Sequence, residues 1–159
     1  MAAKYVALDI ARWFISRNRI SVQYDGGDEM SLLKLLKLLY YAEGCALAIK
    51  GESLFDEEII AWEHGPVVES VWREYRTDPY HLPFGSEADM ASIEKIQKDD
   101  ADLLENVFSV FGQYSAWGLR NKTHEEDPWL KASENGTVLN RPIDRNIMKR
   151  YFKENYVED

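Results

Sequence analysis

One stretch restricts what this chain can fold into more than any other. From Leu32 to Lys50 it reads LLKLLKLLYYAEGCALAIK. Ser31 is placed to cap the start of a helix and Gly51 to end it. Projected at 100° per residue, Lys34, Lys37, Tyr41, Gly44 and Ala48 fall on one narrow stripe. Leu32, Leu35, Leu36, Leu39, Ala46 and Leu47 cover the opposite side. A helix apolar over most of its circumference belongs in the middle of a domain. The small residues of the stripe let another element approach closely there too. Lys34 and Lys37 interrupt the apolar run, which therefore falls short of a membrane helix.

Glu43 breaks the pattern, because it projects into the leucine face above Leu36 and Leu39. A buried carboxylate must be paired, hydrogen-bonded or protonated. One reading makes it a structural carboxylate that ties down the N–H groups of a neighbouring loop. The other makes it a catalytic acid or base with a raised pKa. The structural reading is preferred, since no second carboxylate, nucleophile or metal-ligand set stands near it in sequence.

The remaining elements arrange themselves around this helix. Tyr5 to Arg17 reads as a helix, with Val6, Ile10, Trp13 and Phe14 on one face. Ile20 to Tyr24 alternates weakly, as a short extended segment would, and Asp25-Gly26-Gly27-Asp28 is a turn. Ile59-Ile60-Ala61-Trp62 is β-branched and aromatic, which predicts a short strand. After His64-Gly65, Pro66 suits the first turn of a helix carrying Val68, Val71, Trp72 and Tyr75. Thr77 to Ala91 reads as a loop, and Ile93 to Ile96 fits strand or helix equally. Leu103, Leu104, Val107, Phe108 and Phe111 predict a helix over Asp100–Gln113. Ser115 caps another, Asp127 with Pro128 starts a third, Asn135-Gly136 turns, and Pro142 precedes a last helix bearing Ile143, Ile147, Tyr151 and Phe152. The expected fold is mainly α: a single-domain helical bundle over residues 1–159, around one central apolar helix, with a small β element.

The 159 residues carry a formal net charge of −9, which disfavours nucleic acid as a partner and favours basic proteins. A DNA-binding regulator would need a helix-turn-helix among the short helices, but no Lys/Arg-rich recognition helix stands out, and the basic face of Arg141, Arg145, Lys149, Arg150 and Lys153 reads as a solvated polar face. Cys45 is the single cysteine, so a disulfide within the chain and a cysteine-built zinc site are excluded. A reducing cytoplasm suits that usage, and the N-terminus lacks the order of a signal peptide. Nucleophile elbows, phosphate loops and dinucleotide-binding glycine patterns are absent from the sequence. Convergence of His64 and His124 with Glu125, Glu126 or Asp127 would make a divalent-metal site, and with it a metal-dependent hydrolase. The plainer interpretation is a hydrogen-bonded histidine beside a tight turn and an acidic helix start.

Three blocks stand out together: KLLKLLYYA from Lys34 to Ala42, AWEHGPV from Ala61 to Val67, and THEEDPW from Thr123 to Trp129. In this order and spacing they resemble the Panacea domain, the family of the SocA-like antitoxins and of proteins labelled phage-associated. The resemblance runs from the first helix to the Ile143–Phe152 helix. It implies a cytoplasmic antitoxin of a bacterial or prophage toxin–antitoxin system. Such a protein is not an enzyme, needs no cofactor, and neutralises a cognate protein toxin, often encoded next door, by binding it. Masking the toxin and delivering it to a cellular protease both fit, and self-association is left open. Gln is frequent in the family where this chain has Leu36 and Glu43, and an aromatic residue where it has Cys45. The family signature falls on Trp62, His64, Gly65 and Pro66 and on Thr123, His124, Asp127, Pro128 and Trp129. Two rigid turns of this kind either brace the fold or pack together into a partner-binding surface.

Overall fold

A computed structural model describes residues 2–157. Helix α1 (Ala7–Tyr24) leads into α2 (Leu32–Lys50), and a hairpin follows, β1 (Ile60–Trp62) and β2 (Gly65–Val67). Then come α3 (Glu69–Tyr75), α4 (Glu87–Lys95), α5 (Lys98–Phe111), α6 (Ala116–Thr123) and α7 (Asp127–Ala132). Strand β3 (Arg141–Pro142) and α8 (Arg145–Asn155) close the order. The protein is mainly α with a minor β element.

Fifteen of the nineteen residues of α2 are buried. Its start is capped by the Ser31 hydroxyl, which accepts from the Lys34 N–H at 3.3 Å. Gly51 ends it in the left-handed conformation, at φ 71°. Helices α1, α5, α6 and α8 all pack on it. The stripe of small and polar residues is buried along with the leucines: Lys37, Tyr41, Gly44 and Ala48 are all inside. Gly44 is where α8 comes closest, since a Cβ there would lie 2.3 Å from the Phe152 ring.

Glu43 is fully buried and bonded at both oxygens. It accepts from the Leu54 N–H at 2.7 Å and from Arg145 Nε at 2.7 Å. Arg145 also donates to the carbonyls of Phe55 (2.9 Å) and Glu57 (2.7 Å). One carboxylate and one guanidinium thus fasten α2, the loop after it and the start of α8.

Several elements differ from the sequence expectation. Helix α1 continues through the segment expected to be extended, because Arg17 and Arg19 clamp its last turns. Arg17 bonds Glu105 (2.8 Å) and Ser21 (3.0 Å), and Arg19 donates to the Leu82 carbonyl (2.9 Å). The expected loop to Ala91 already contains the start of α4, which resolves Ile93–Ile96 as the end of a helix. A capping box of Ser86 and Asp89 starts α4. Helix α5 begins at Lys98, and Glu126 rather than Asp127 occupies the N-cap position of α7, without a side-chain capping bond.

Pro66 is the most informative departure, since it lies in β2 and not in a helix. Trp62 and Gly65 face each other across a two-residue turn, which places Ala61 opposite Pro66 as the pair that exchanges no hydrogen bonds. The missing N–H therefore costs no ladder bond, and β2 is an edge strand of the order β2-β1-β3, where proline is tolerated.

Two stability changes follow. Arg145→Met leaves the Glu43 carboxylate buried without its countercharge and should cost about 3–5 kcal/mol in urea unfolding. Gly44→Ala pushes a methyl group into the Phe152 ring and should cost about 1–3 kcal/mol by the same measurement.

Candidate functional site

The hairpin β1–β2 and the corner between α6 and α7 meet. His124 Nε2 lies 2.6 Å from the Glu63 carbonyl, and its Nδ1 lies 2.6 Å from the Arg120 carbonyl. The Trp129 indole N–H donates to the Trp62 carbonyl at 2.9 Å. The His124 and Trp129 rings lie 4.0 Å apart between centroids. Thr123 Oγ1 donates to the Arg120 carbonyl at 2.8 Å and closes the corner. Gly65 has φ 108°, and a Cβ there would lie 2.7 Å from Lys37 Cε and 2.8 Å from Thr123 Oγ1. The position therefore needs glycine for backbone angle and for space. Pro128 and Trp129 are buried in the first turn of α7, and Asp127 is exposed beside them.

These residues do not assemble a metal site. Both ring nitrogens of His124 lie 2.6 Å from carbonyl oxygens, which occupy the positions a cation would need to take. Arg120 Nε donates toward His64 Nδ1 at 3.4 Å and sets a positive charge beside that ring. Glu126 turns inward instead of joining Glu125 and Asp127: it accepts from Tyr40 Oη at 2.9 Å and from Tyr156 Oη. Burial pushes its carboxyl above the usual range, against the hydrogen bonds of the tyrosines. Among the described residues no group of three or more His, Cys, Asp and Glu is placed to hold a metal ion. Burial pushes the Cys45 thiol up to about 12, as for an inert packed thiol.

The outer face of the corner is exposed and carries a separate cluster. Arg120 lies over the Trp117 ring, 4.5 Å from its centroid, and Trp117 is 54 % exposed. His64 is exposed beside them, 5.8 Å from Trp117 between ring centroids. Trp117 and Arg120 were not singled out by sequence reasoning. Their spacing of three residues on a short helix was the available signal.

Lys37 was missed as well. It is 0 % exposed, and its ammonium donates to the Pro66 carbonyl at 3.1 Å. Burial, helped by the nearby Arg120, pushes its pKa down to about 7. A cavity of about 450 Å³ adjoins it, bounded by Leu32, Leu36, Trp62, His64, Val67 and Trp72 among others. Sequence projection put Lys37 on a polar stripe, and only the fold shows that the hairpin closes over it.

A family model described as "Antitoxin SocA-like, Panacea domain" matches residues 35–130. The matched span runs from α2 through the hairpin to α7, and α1 and α8 lie outside it. Neither a curated protein nor a solved structure matches the chain.

The buried lysine predicts a pH effect on stability. Below about pH 7 the folded protein holds a buried ammonium at a cost, while the unfolded chain titrates in the ordinary lysine range. Between these values the unfolded state binds more protons, so this group's contribution rises with pH. Wild type should therefore gain on Lys37→Met from pH 7 to pH 9.5, by up to about 1.4 kcal/mol per pH unit in paired urea titrations.

Proposed function

Since the chain belongs to the SocA-like antitoxin family with a Panacea domain, we propose that it is the antitoxin of a bacterial or prophage toxin–antitoxin pair and neutralises its toxin by binding it directly. The observation that carries this reading is the family match, whose span contains both turns and the corner that joins them. We assign the toxin contact to the exposed side of that corner, His64, Trp117 and Arg120. Arginine and tryptophan concentrate binding energy at interfaces, and here they are already stacked, so less freedom is lost on docking. The net charge of −9 adds a long-range attraction for a basic toxin. Neutralisation in the cytoplasm, by masking or by delivery to a protease, uses the same contact and requires no reaction at this site.

The structure also separates good probes from poor ones. Trp129 is 5 % exposed and holds the Trp62 carbonyl, so Trp129→Ala should cost about 3–5 kcal/mol and report folding rather than binding. His64 and Trp117 are exposed. Co-expression with the adjacent gene should restore growth that the neighbour alone arrests, and the two proteins should co-purify. His64→Ala with Trp117→Ala should abolish the rescue while the melting temperature stays within a few degrees of wild type. Full rescue by this double variant would move the contact elsewhere on the protein. A neighbour that is harmless alone, or that stays toxic with wild-type protein, would remove it as the cognate toxin.

A further inference from the structure

Both ring nitrogens of His124 face oxygens that can only accept. Nδ1 lies 2.6 Å from the Arg120 carbonyl and Nε2 lies 2.6 Å from the Glu63 carbonyl. A carbonyl oxygen carries no hydrogen, so each nitrogen has to supply one. Neutral imidazole has a single N–H and a lone pair on its other nitrogen, and only the imidazolium donates twice. A lone pair held 2.6 Å from a carbonyl oxygen is repelled, whereas a charge-assisted bond is short. The His124 and Trp129 rings, 4.0 Å apart between centroids and tilted by 36°, suit a cation on an indole face. His64 at the same corner is the contrast, since its Nδ1 accepts from Arg120 Nε at 3.4 Å. The charges around His124 oppose one another. Arg120 on α6 and Lys37, which lies under Gly65 on α2, disfavour a further cation. Glu63 on the hairpin, Glu125 before α7 and Asp127 in its first turn favour one, but all three are exposed and screened. Glu126 is turned to Tyr40 and Tyr156, and Lys122 to Tyr114 and Tyr156. The two oxygens in direct contact therefore decide the state of the ring.

We propose that His124 is held with a proton on each ring nitrogen and works as a pH-sensitive tie that positions the toxin contact. The bond from Nε2 reaches the carbonyl of the peptide leading into His64, and the bond from Nδ1 reaches the carbonyl of Arg120. One cation thus sets the spacing of two of the three residues assigned to that contact, and the inference rests on that assignment. Loss of one proton as pH rises turns one of the two bonds into a repulsion and lets the hairpin tip move away from α6. The neighbouring tie, from the Trp129 indole to the Trp62 carbonyl, has no such dependence. His124 acts through His64 and Arg120, as a positioning residue.

Long-range 1H–15N correlation of the imidazole rings in the full-length protein tests this, with the three histidines assigned by His64→Gln and His81→Gln. At about pH 7.5, where an unperturbed histidine is about nine-tenths neutral, His124 should show two protonated nitrogens. Raising the pH to about 9.5 should remove one of them, and the Gly65 amide and the Trp117 indole N–H should shift in step. In His124→Gln a single amide nitrogen cannot reach both carbonyls, so these two reporters should lose that step. Whatever pH response remains in the variant belongs to His64 and to Lys37, whose amine donates to the Pro66 carbonyl in either form. One protonated nitrogen at pH 7.5, or reporters that move as far in His124→Gln as in wild type, would overturn the proposal. Should the variant not fold, the count of protonated nitrogens in wild type decides alone. Growth rescue by co-expression is scored separately. Rescue by a protein whose His124 carries one proton at pH 7.5 would keep the antitoxin reading and reject the tie. Two protonated nitrogens without rescue would keep the tie and reject that reading.

Discussion

Glu43 is the charge on which the assembly of this fold depends. Helix α2 can be the centre of the protein only because the carboxylate inside its leucine face is fully satisfied. One oxygen takes the Leu54 N–H and the other takes Arg145. The Nη2 hydrogens of Arg145 go to the carbonyls of Phe55 and Glu57. Glu57 in turn accepts from the Ala7 N–H at the start of α1. Three segments far apart in sequence are thereby fixed on α2 by polar contacts, before apolar packing is counted. Packing alone would hold α8 near Gly44 through Phe152 but would define its register less sharply. The ion pair supplies that register, at the risk that loss of either partner strands the other.

Lys37 is the counterexample, less than two turns away on the same helix. It has the burial of Glu43 without an opposite charge. Its geometry explains why the chain tolerates it. The carbonyl of Pro66 belongs to the pair of the hairpin that exchanges no hydrogen bonds, so it points away from β1 and is open to an outside donor. The lysine stem then fills the space that a side chain at position 65 would need. Glycine, proline and lysine at these three positions are one solution to one packing problem, although Lys37 stands far from the other two in sequence.

Much of the α2 region was legible from its residues. Periodicity exposed the central helix, its caps and the anomaly at Glu43, because all of these are local. The small β element was half legible: Ile60–Trp62 has strand composition, but β3 is Arg141–Pro142, which nothing local marks as a strand. Pro66 misled because its fixed φ serves a helix start and an edge strand equally well, and register decides between them. Ile20–Tyr24 misled because its weak alternation was overruled by the Arg17 and Arg19 contacts made across space. That the two turns could pack together was legible, whereas the carbonyl partners that occupy both ring nitrogens of His124 depend on contacts across space.

The two signature turns can now be divided by what each residue does for the backbone. Three carbonyls of the hairpin, those of Trp62, Glu63 and Pro66, meet Trp129, His124 and Lys37 in turn. A short edge hairpin in contact with helices has to satisfy such acceptors, and side chains are the donors within reach. Trp129, His124, Lys37, Gly65 and Pro66 therefore have a sufficient structural reason to be what they are. His64, Trp117 and Arg120 lie on the exposed side of the same corner, and none of them donates to a hairpin carbonyl. Under the proposed antitoxin function, the first group serves the hairpin and the second is free to meet the partner. Specificity in this chain is accordingly sought at His64, Trp117 and Arg120, outside the most recognisable motif letters apart from His64.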